Sequence, residues 1–328
     1  MSVKYFIGPM SKNVADSIIE FCNETNNIIG LIPSRRQIEW GGGYVNNWTT
    51  KEFTEYVKSK TDKILLVRDH SGPRQGQFED DGYESLTEDC KFFDIIHIDP
   101  WKKYPSFNLG LKETIRMIEH CYKLNPNLQY EIGTEEAIRR FEPYELEELV
   151  IQLKDKLDPI VFNKIKYLVI QSGTSLKGTN QTGNYDSFRL KEMIDVCKHY
   201  NLISKEHNGD YIPVSVINEK FKLGLDCINI APEFGLIETL TYLDEIEKNW
   251  DFGTIENFWK ICFESKKWEK WVNESFDPYI QKRDLIKICG HYVLSNPEFL
   301  NNIKSHFPNI DNKIKSNINN KLKELYGY

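Results

Sequence analysis

Residues 63–69 read KILLVRD, residues 93–99 read FDIIHID and residues 128–134 read LQYEIGT. Each is a short apolar run rich in β-branched residues, which is typical of a buried strand. Each ends in polar or glycine-containing residues and is followed by apolar residues at helical spacing. The pattern predicts three successive strand–helix units.

The same unit recurs along the first 249 residues. Five further strands are predicted at Tyr5–Met10, Ile28–Pro33, Ile165–Gln171, Leu202–His207 and Asp226–Ala231. Eight units spaced by about 25 to 35 residues favour right-handed βαβ crossovers that close into an α/β (β/α)8 barrel, or TIM barrel. The rival fold, an open doubly wound sheet, usually carries a glycine fingerprint after its first strand, and no GxGxxG follows Tyr5–Met10.

We therefore predict two parts. Residues 1–249 form a barrel that carries the functional site, and residues 250–328 form a C-terminal helical extension packed on it. The extension is rich in aromatic and charged residues. We expect its tryptophans to pack against the barrel wall or, alternatively, to form a subunit interface; they are Trp250, Trp259, Trp268 and Trp271.

The composition argues against nucleic-acid and membrane partners. Lys and Arg number 42 against 49 Asp and Glu, which gives a net charge of −7 without a basic tract. No apolar run reaches the length of a membrane span, and MSVKYFIGPMSKN lacks the long apolar stretch of a secretory signal. The seven cysteines are scattered without a CxxC pair, so buried thiols are expected. These features predict a cytoplasmic protein.

The carboxyl ends of the strands of a barrel meet at one mouth, so polar residues there are candidates for function. His70 and His207 each close a predicted strand, and they are the best candidates for ligands of a catalytic metal, which needs three protein ligands and an open position. His97 is either functional or a packed layer residue inside the barrel. Structural or solvent roles are expected for His120, His199 and His306.

Carboxylates at the mouth are candidates for acid–base chemistry. Asp69 directly precedes His70, so one side chain can bind a metal while the other transfers a proton. Asp99 and Glu131 belong to the fourth and fifth predicted strands and are further catalytic candidates, although each could instead pair with an arginine of the mouth. The residues expected to bind substrate are Arg36, Gln37, Arg74, Gln171, Lys177, Asn208, Asp210 and Glu233.

Two glycine-containing loops have alternative interpretations. Residues 171–179, QSGTSLKGT, combine hydroxyls, glycines and Lys177, which is compatible with a phosphate cradle or with an ordinary flexible loop. The run Gly41–Gly43 is either the hinge of a lid or a turn.

Several loops resemble those of a known family and follow the same order along the chain. They are IPSRRQIEWGGGYVNNWTTKEF, VRDHSGP, IIHIDPW, YEIGTEEA and EHNGDY, within roughly residues 28 to 240. This pattern is similar to the non-catalytic subunit family of class II tagatose-bisphosphate aldolases, whose relatives include ketose 4-epimerases. The sequence departs from the family pattern at residues 34–36, 100–101 and 232–235.

The resemblance implies the fold of class II aldolases and, for enzymatic members, metal-dependent retro-aldol chemistry. It implies that His70 and His207 bind the metal, that Asp69 is the acid–base residue and that Glu131 is a further ligand or base. Zinc is the expected ion, with manganese, cobalt and nickel as alternatives. The departures line the mouth and therefore bear on the substrate.

Three functions are compatible with these features. The favoured one is a metal-dependent enzyme that acts on a ketose or ketose phosphate as a C4 epimerase or aldolase. The second is a non-catalytic partner that stabilises a separate class II aldolase subunit. The third is a barrel enzyme that isomerises a carbohydrate phosphate by proton transfer without cleaving a carbon–carbon bond. A homo-oligomer and a complex with an aldolase subunit are both compatible with these functions.

Overall fold

The computed structural model describes residues 3–249 and 251–328. Its strands are, in chain order, β1 (Tyr5–Ile7), β2 (Ile29–Leu31), β3 (Ile64–Ser71), β4 (Ile95–Ile98), β5 (Gln129–Ile132), β6 (Ile165–Ile170), β7 (Leu176–Lys177), β8 (Asn180–Gln181), β9 (Ile203–Glu206) and β10 (Cys227–Ile230). Within the described residues, eight parallel strands close into a barrel in the order β1-β2-β3-β4-β5-β6-β9-β10, and β7 and β8 form a separate antiparallel hairpin. The predicted barrel is confirmed, and the open sheet is excluded.

Helices follow the strands around the barrel. They are α1 (Lys12–Thr25), α2 (Thr50–Lys58), α3 (Tyr83–Asp89), α4 (Phe107–Leu124), α5 (Pro143–Lys156), α6 (Pro159–Phe162), α7 (Ser187–His199), α8 (Val214–Leu223) and α9 (Pro232–Lys248). The C-terminal helices are α10 (Phe252–Glu264), α11 (Lys282–Cys289), α12 (Pro297–Asn302) and α13 (Ile310–Tyr326), with 3-10 turns at Glu269–Trp271, Gly290–Tyr292 and Lys304–His306. In the described part of the chain, no helix is long and apolar enough to cross a membrane.

Two apolar clusters form the core. The larger lies between the barrel wall and the helices. The smaller includes Phe6, Val67 and Ile95 from three strands and fills the barrel interior. Gly30 makes room for Phe6, since a Cβ on Gly30 would lie 2.1 Å from the Phe6 ring. The predicted buried thiols are confirmed, because all seven cysteines are free and buried.

The C-terminal helices pack onto the start and end of the barrel. Helix α13 packs against α1 and α9, and the Tyr5 hydroxyl of β1 donates a hydrogen bond to the Leu325 carbonyl at 2.7 Å. Trp259 and Trp268 stack on Phe263 inside this region. Trp250 lies outside the described residues.

Candidate active site

An irregularity in β3 brings Asp69 and His70 to the barrel mouth together. Adjacent residues of a regular strand point to opposite faces of the sheet. Here the pairing of β3 with β4 shifts by one residue between Arg68 and Ser71. His70 adopts the left-handed backbone conformation, with φ at 46°. The bulge therefore allows two neighbouring side chains to contribute to one site.

Asp69 lies among the imidazoles of His70, His97 and His207. The ring centroids are 5.1 to 5.2 Å apart, and one potential ligand atom from each of the four residues lies within 4.8 Å of the others. Asp69 Oδ2 is 3.7 Å from His70 Nε2, and Asp69 Oδ1 is 3.6 Å from His97 Nδ1. We call these four residues the mouth cluster.

Hydrogen bonds at the far side of two rings fix their orientation. The Gly133 carbonyl accepts a hydrogen bond from His97 Nε2 at 3.1 Å. His97 Nδ1 accepts a hydrogen bond from the His70 backbone N–H at 3.2 Å and lies 3.6 Å from Asp69 Oδ1. His70 Nδ1 lies 2.7 Å from Asp99 Oδ2, so that carboxylate holds the imidazole from behind and leaves Nε2 towards Asp69. Asp99 is fully buried, and the structure places it behind His70.

Glu131 fixes the orientation of the His207 imidazole in the same way. Its Oε1 lies 2.8 Å from His207 Nε2, and its Oε2 accepts a hydrogen bond from Lys205 Nζ at 2.5 Å. Both carboxylate oxygens are therefore engaged, and all three side chains are buried. The structure places Glu131 beneath the mouth cluster, where it orients His207 and leaves the other ring nitrogen available.

The mouth cluster is strongly coupled electrostatically. Burial opposes ionisation of Asp69, but the three imidazoles outweigh it and hold the pKa of this carboxyl well below its usual range. Burial likewise opposes protonation of His70, but Asp69 and Asp99 raise its pKa to about 10. Burial lowers the pKa of His207. Asp69 is thus a carboxylate that favours a positive partner at the centre of the cluster.

The donor set fits a divalent metal ion. Asp69 Oδ1 is buried without a hydrogen-bond partner among the described residues, although buried carboxylate oxygens are normally hydrogen-bonded. Imidazole nitrogens with a carboxylate oxygen suit zinc and neighbouring transition metals. The outward hydrogen bonds of the rings are the kind that support metal-binding histidines.

Asp69, His70 and His207 line a cavity of about 390 Å³ at the barrel mouth. This lies within the range of about 300 to 1,000 Å³ found for small-molecule sites. The barrel supplies most of the wall. The C-terminal region completes it with Lys270, Trp271, His291 and Tyr292.

Half of the predicted substrate-binding residues line this cavity: Arg36, Gln37, Asn208 and Asp210. Arg36 Nε donates to the Gly76 carbonyl at 3.1 Å. Asn208 Nδ2 donates to Glu135 Oε2 at 2.8 Å. Burial raises the pKa of Asp210 to about 7, even though this carboxylate accepts two backbone N–H groups at the start of α9.

The other predicted binding residues lie outside the cavity lining: Arg74, Gln171, Lys177 and Glu233. Arg74 forms an exposed pair with Glu79. Gln171 is buried and bonds three backbone groups of the segment after β5. Lys177 lies in β7 beside a second cavity, and Glu233 pairs with Lys321 of α13 at 2.8 Å.

Solved structures share this architecture over nearly the whole chain. A protein from Sinorhizobium meliloti 1021, described as a probable tagatose 6 phosphate kinase, superposes with a TM-score of 0.74 at 16% identity over 100% of both chains. The fructuronate-tagaturonate epimerase UxaE from Cohnella laeviribosi superposes with a TM-score of 0.64 at 11% identity, over 99% of this chain and 81% of the epimerase. The YdjI aldolase from Escherichia coli K12 gives 0.60 at 10% identity, over 99% and 90%.

The chain shares the fold of these proteins. At these identities the likeness concerns the fold alone. No protein-family model matches the sequence, and no curated protein matches it.

Four residues of the site were assigned no firm role by sequence reasoning: His97, Lys102, Lys270 and His291. The sequence does indicate that His97 lies near Asp99, because strand alternation in IIHID places both residues on the same face. Lys102 follows β4 and belongs to the mouth by position. For Lys270 and His291 no local signal was present, since the return of the C-terminal region to the mouth depends on long-range packing.

Proposed function

We propose that the protein is a metal-dependent enzyme that cleaves or epimerises a ketose, or a ketose phosphate, by retro-aldol chemistry. The observation that carries the proposal is the mouth cluster. Its three imidazoles, buried for His97 and His207 and partly exposed for His70, surround a carboxylate oxygen without a hydrogen-bond partner among the described residues. Asp69, His70 and His207 line a cavity of substrate size.

In this proposal His70, His97 and His207 hold the metal, and His97 Nδ1 would bind the ion in place of the hydrogen bond that it accepts from the His70 backbone N–H. Three protein nitrogens leave an open position for a substrate oxygen, as catalytic zinc sites require. When bound, a divalent ion supplies Lewis-acid stabilisation of the negative charge that develops on the ketose oxygens as the C3–C4 bond breaks. Zinc is the favoured ion, with manganese, cobalt and nickel as alternatives.

Asp69 is the proposed general base. It removes the proton of the C4 hydroxyl as the C3–C4 bond breaks, and it returns the proton when the bond reforms. Its Oδ1 is suited to this role because no hydrogen bond from the described residues occupies it. Adjacent positions on one bulged strand keep Asp69 beside His70, so that base and ligand act on one substrate.

Asp99 and Glu131 are the proposed positioning residues. Each holds one histidine from the side opposite the cluster, Asp99 at His70 and Glu131 at His207. Such carboxylate–histidine pairs fix the tautomer and the ring direction of a ligand. Neither carboxylate needs to contact the substrate.

Whether the aldehyde fragment stays in the cavity or leaves it decides between C4 epimerisation and aldol cleavage. If the fragment rotates within the cavity before the bond reforms, C4 is inverted. If it leaves, C3 of the remaining fragment takes up a proton in place of its bond to C4, and the reaction is an aldol cleavage. Support for this class of chemistry comes from the fold shared with the YdjI aldolase and with the fructuronate-tagaturonate epimerase.

The test is conversion of ketohexoses, their uronates and their phosphates, followed by 13C NMR for C4 epimers and released aldehydes. Conversion should cease after chelation and return with zinc, and Asp69→Asn should reduce its rate by about 10² to 10⁴-fold while the metal stays bound. Conversion that persists without metal would contradict the proposal. Lack of any conversion by metal-loaded protein would favour the stabilising-subunit function instead.

A further inference from the structure

Three cationic side chains from distant segments line the same cavity as the mouth cluster. Arg36 follows β2, Lys102 follows β4, and Lys270 belongs to the C-terminal region. The barrel and the extension thus contribute to one basic patch, which we call the cation triad.

The cation triad has no carboxylate partner at ion-pair distance among residues 3–249 and 251–328. Arg36 uses only Nε, which donates to a backbone carbonyl. Lys270 lies over the rings of Trp271 and Tyr292 at 4.4 and 5.6 Å. The contrast with the neighbouring Arg35 is direct, because that guanidinium is buried and paired with both Glu39 and Asp80.

Burial and mutual repulsion lower the pKa of both lysines of the cation triad. Partial burial and repulsion from Arg36 and Lys102 lower the pKa of Lys270 to about 8. Burial and Arg36 likewise lower the pKa of Lys102. Asp99 and Glu135 offset this effect at Lys102, and Glu135 offsets it at Lys270. Asp99 is already bonded to His70, and Glu135 Oε2 accepts a hydrogen bond from Asn208. An anion bound between the three cations would relieve this repulsion.

We infer that Arg36, Lys102 and Lys270 form a binding site for a phosphate group of the substrate. The inference rests on the proposed function and deepens it, since it specifies a phosphorylated ketose. The three cations outnumber the two carboxylates that act on the lysines, Asp99 and Glu135, and each of these carboxylates already has a hydrogen-bond partner. The patch is therefore positive and suits an anion with several oxygens, such as a phosphate. The free fork of Arg36 offers paired donors, whereas the lysines act as point charges.

The site differs from the predicted phosphate cradle. Lys177 and Gly178 line a separate cavity, together with residues of the C-terminal region. The cation triad instead shares the cavity that contains His70 and His207. A phosphate held there lies in the same chamber as the reacting end of the sugar.

The test is calorimetric titration of the full-length protein with inorganic phosphate near neutral pH and constant ionic strength, with acetate in a parallel titration. Lys270→Met should weaken phosphate binding by about tenfold or more, and Lys102→Met should have a similar effect. Lys267→Met is the matched control. It removes the same charge three residues before Lys270, and the Lys267 side chain lies outside the cavity lining. It should change the affinity by less than about twofold.

Unchanged phosphate binding in Lys270→Met and Lys102→Met would overturn the inference, as would a wild-type protein that binds no phosphate. Acetate binding that depends on Lys270 and exceeds phosphate binding would reassign the site to a carboxylate and also overturn it. Metal content distinguishes a failure of this inference from a failure of the proposed function. The lysine variants should retain wild-type metal, and His70→Ala/His207→Ala should retain phosphate binding.

Discussion

His97 provides the third imidazole of the mouth cluster, and its replacement tests the ligand set residue by residue. His97→Ala should weaken zinc binding by at least about 100-fold, the upper end of the effect of losing an outer-shell partner of a metal site. The measurement is competition with a chromophoric zinc chelator. His120→Ala is the control, since that imidazole contacts Thr87 at the helical surface. Equal zinc affinity in both variants would remove His97 from the site.

The lowered pKa of Lys270 predicts that anion affinity depends on pH. Its pKa in the folded protein is lowered from 10.5 to about 8, so the cationic form is lost as the pH rises through 8, and anion affinity should fall over that interval. Groups that influence Lys270 are Arg36, Lys102, Lys267, Glu135 and His291. Sulfate is the suitable probe because its charge is constant from about pH 7 to about pH 9.

The profile of sulfate affinity against pH should flatten in Lys270→Met. A wild-type affinity that stays constant between about pH 7 and about pH 9 would show that Lys270 does not bind the anion.

Among single residues, chemical type and strand position were sufficient to predict that Asp69, His70 and His207 lie together at the barrel mouth. They were insufficient for Glu131, because a sequence does not show that Lys205 and His207 occupy both of its oxygens. They were also insufficient for Gln171, which bonds backbone groups instead of lining the cavity.

At the scale of elements, β9 and α8 are joined by a buried ion pair between Glu206 and Lys220 at 2.6 Å. Lys220→Met should lower the free energy of unfolding by about 3 to 5 kcal/mol, because it leaves Glu206 buried and unpaired. The double variant Glu206→Gln/Lys220→Met removes both charges and should recover most of the loss. Urea denaturation provides both values.

If Lys220→Met and the double variant are equally destabilised, the loss arises from packing and not from the unpaired charge. The Lys220 ammonium also lies 4.4 Å from the centre of the Tyr185 ring and 3.1 Å from Ser172 Oγ. Tyr185→Leu is therefore a useful companion variant, with an expected cost of about 1 kcal/mol.

The sequence predicted the strand β3 but not the bulge within it. Alternation and composition predicted the strand, but they ended it at Asp69, whereas β3 continues to Ser71. A regular strand would have turned Asp69 and His70 to opposite faces. Their meeting coincides with the positive φ of His70, a conformation that is uncommon for residues other than glycine and that the sequence does not reveal.

At the scale of the molecule, the C-terminal region is proposed to be part of one cooperative unit with the barrel. Leu322 of α13 is fully buried, and α13 packs against α1 and α9. Leu322→Ala should lower the free energy of unfolding of the whole protein by about 2 to 5 kcal/mol and preserve a single transition. Leu300→Ala, at a residue that is 40% exposed, should cost less than about 1 kcal/mol.

Separate transitions for the barrel and the extension in Leu322→Ala would contradict a single unit. Calorimetry reports on the whole molecule, whereas tryptophan fluorescence reports on the surroundings of the tryptophans, four of which lie in the extension. Disagreement between the two transitions would reveal such a division.

The overall architecture was largely predictable, because each strand–helix unit is encoded locally and the barrel follows from their number and order. The shape of the cavity was not. Lys270 and His291 reach the mouth only because the C-terminal region folds back over it, and no periodicity in the sequence specifies that path.

The most direct test of the central claim is the metal content of the purified protein after dialysis, compared with His70→Ala/His207→Ala. Elemental analysis should find about one divalent ion per chain in the wild type and almost none in the double variant. Absence of metal from the wild type after zinc and manganese have been supplied, or equal metal in both proteins, would contradict the account of the mouth cluster as a metal centre.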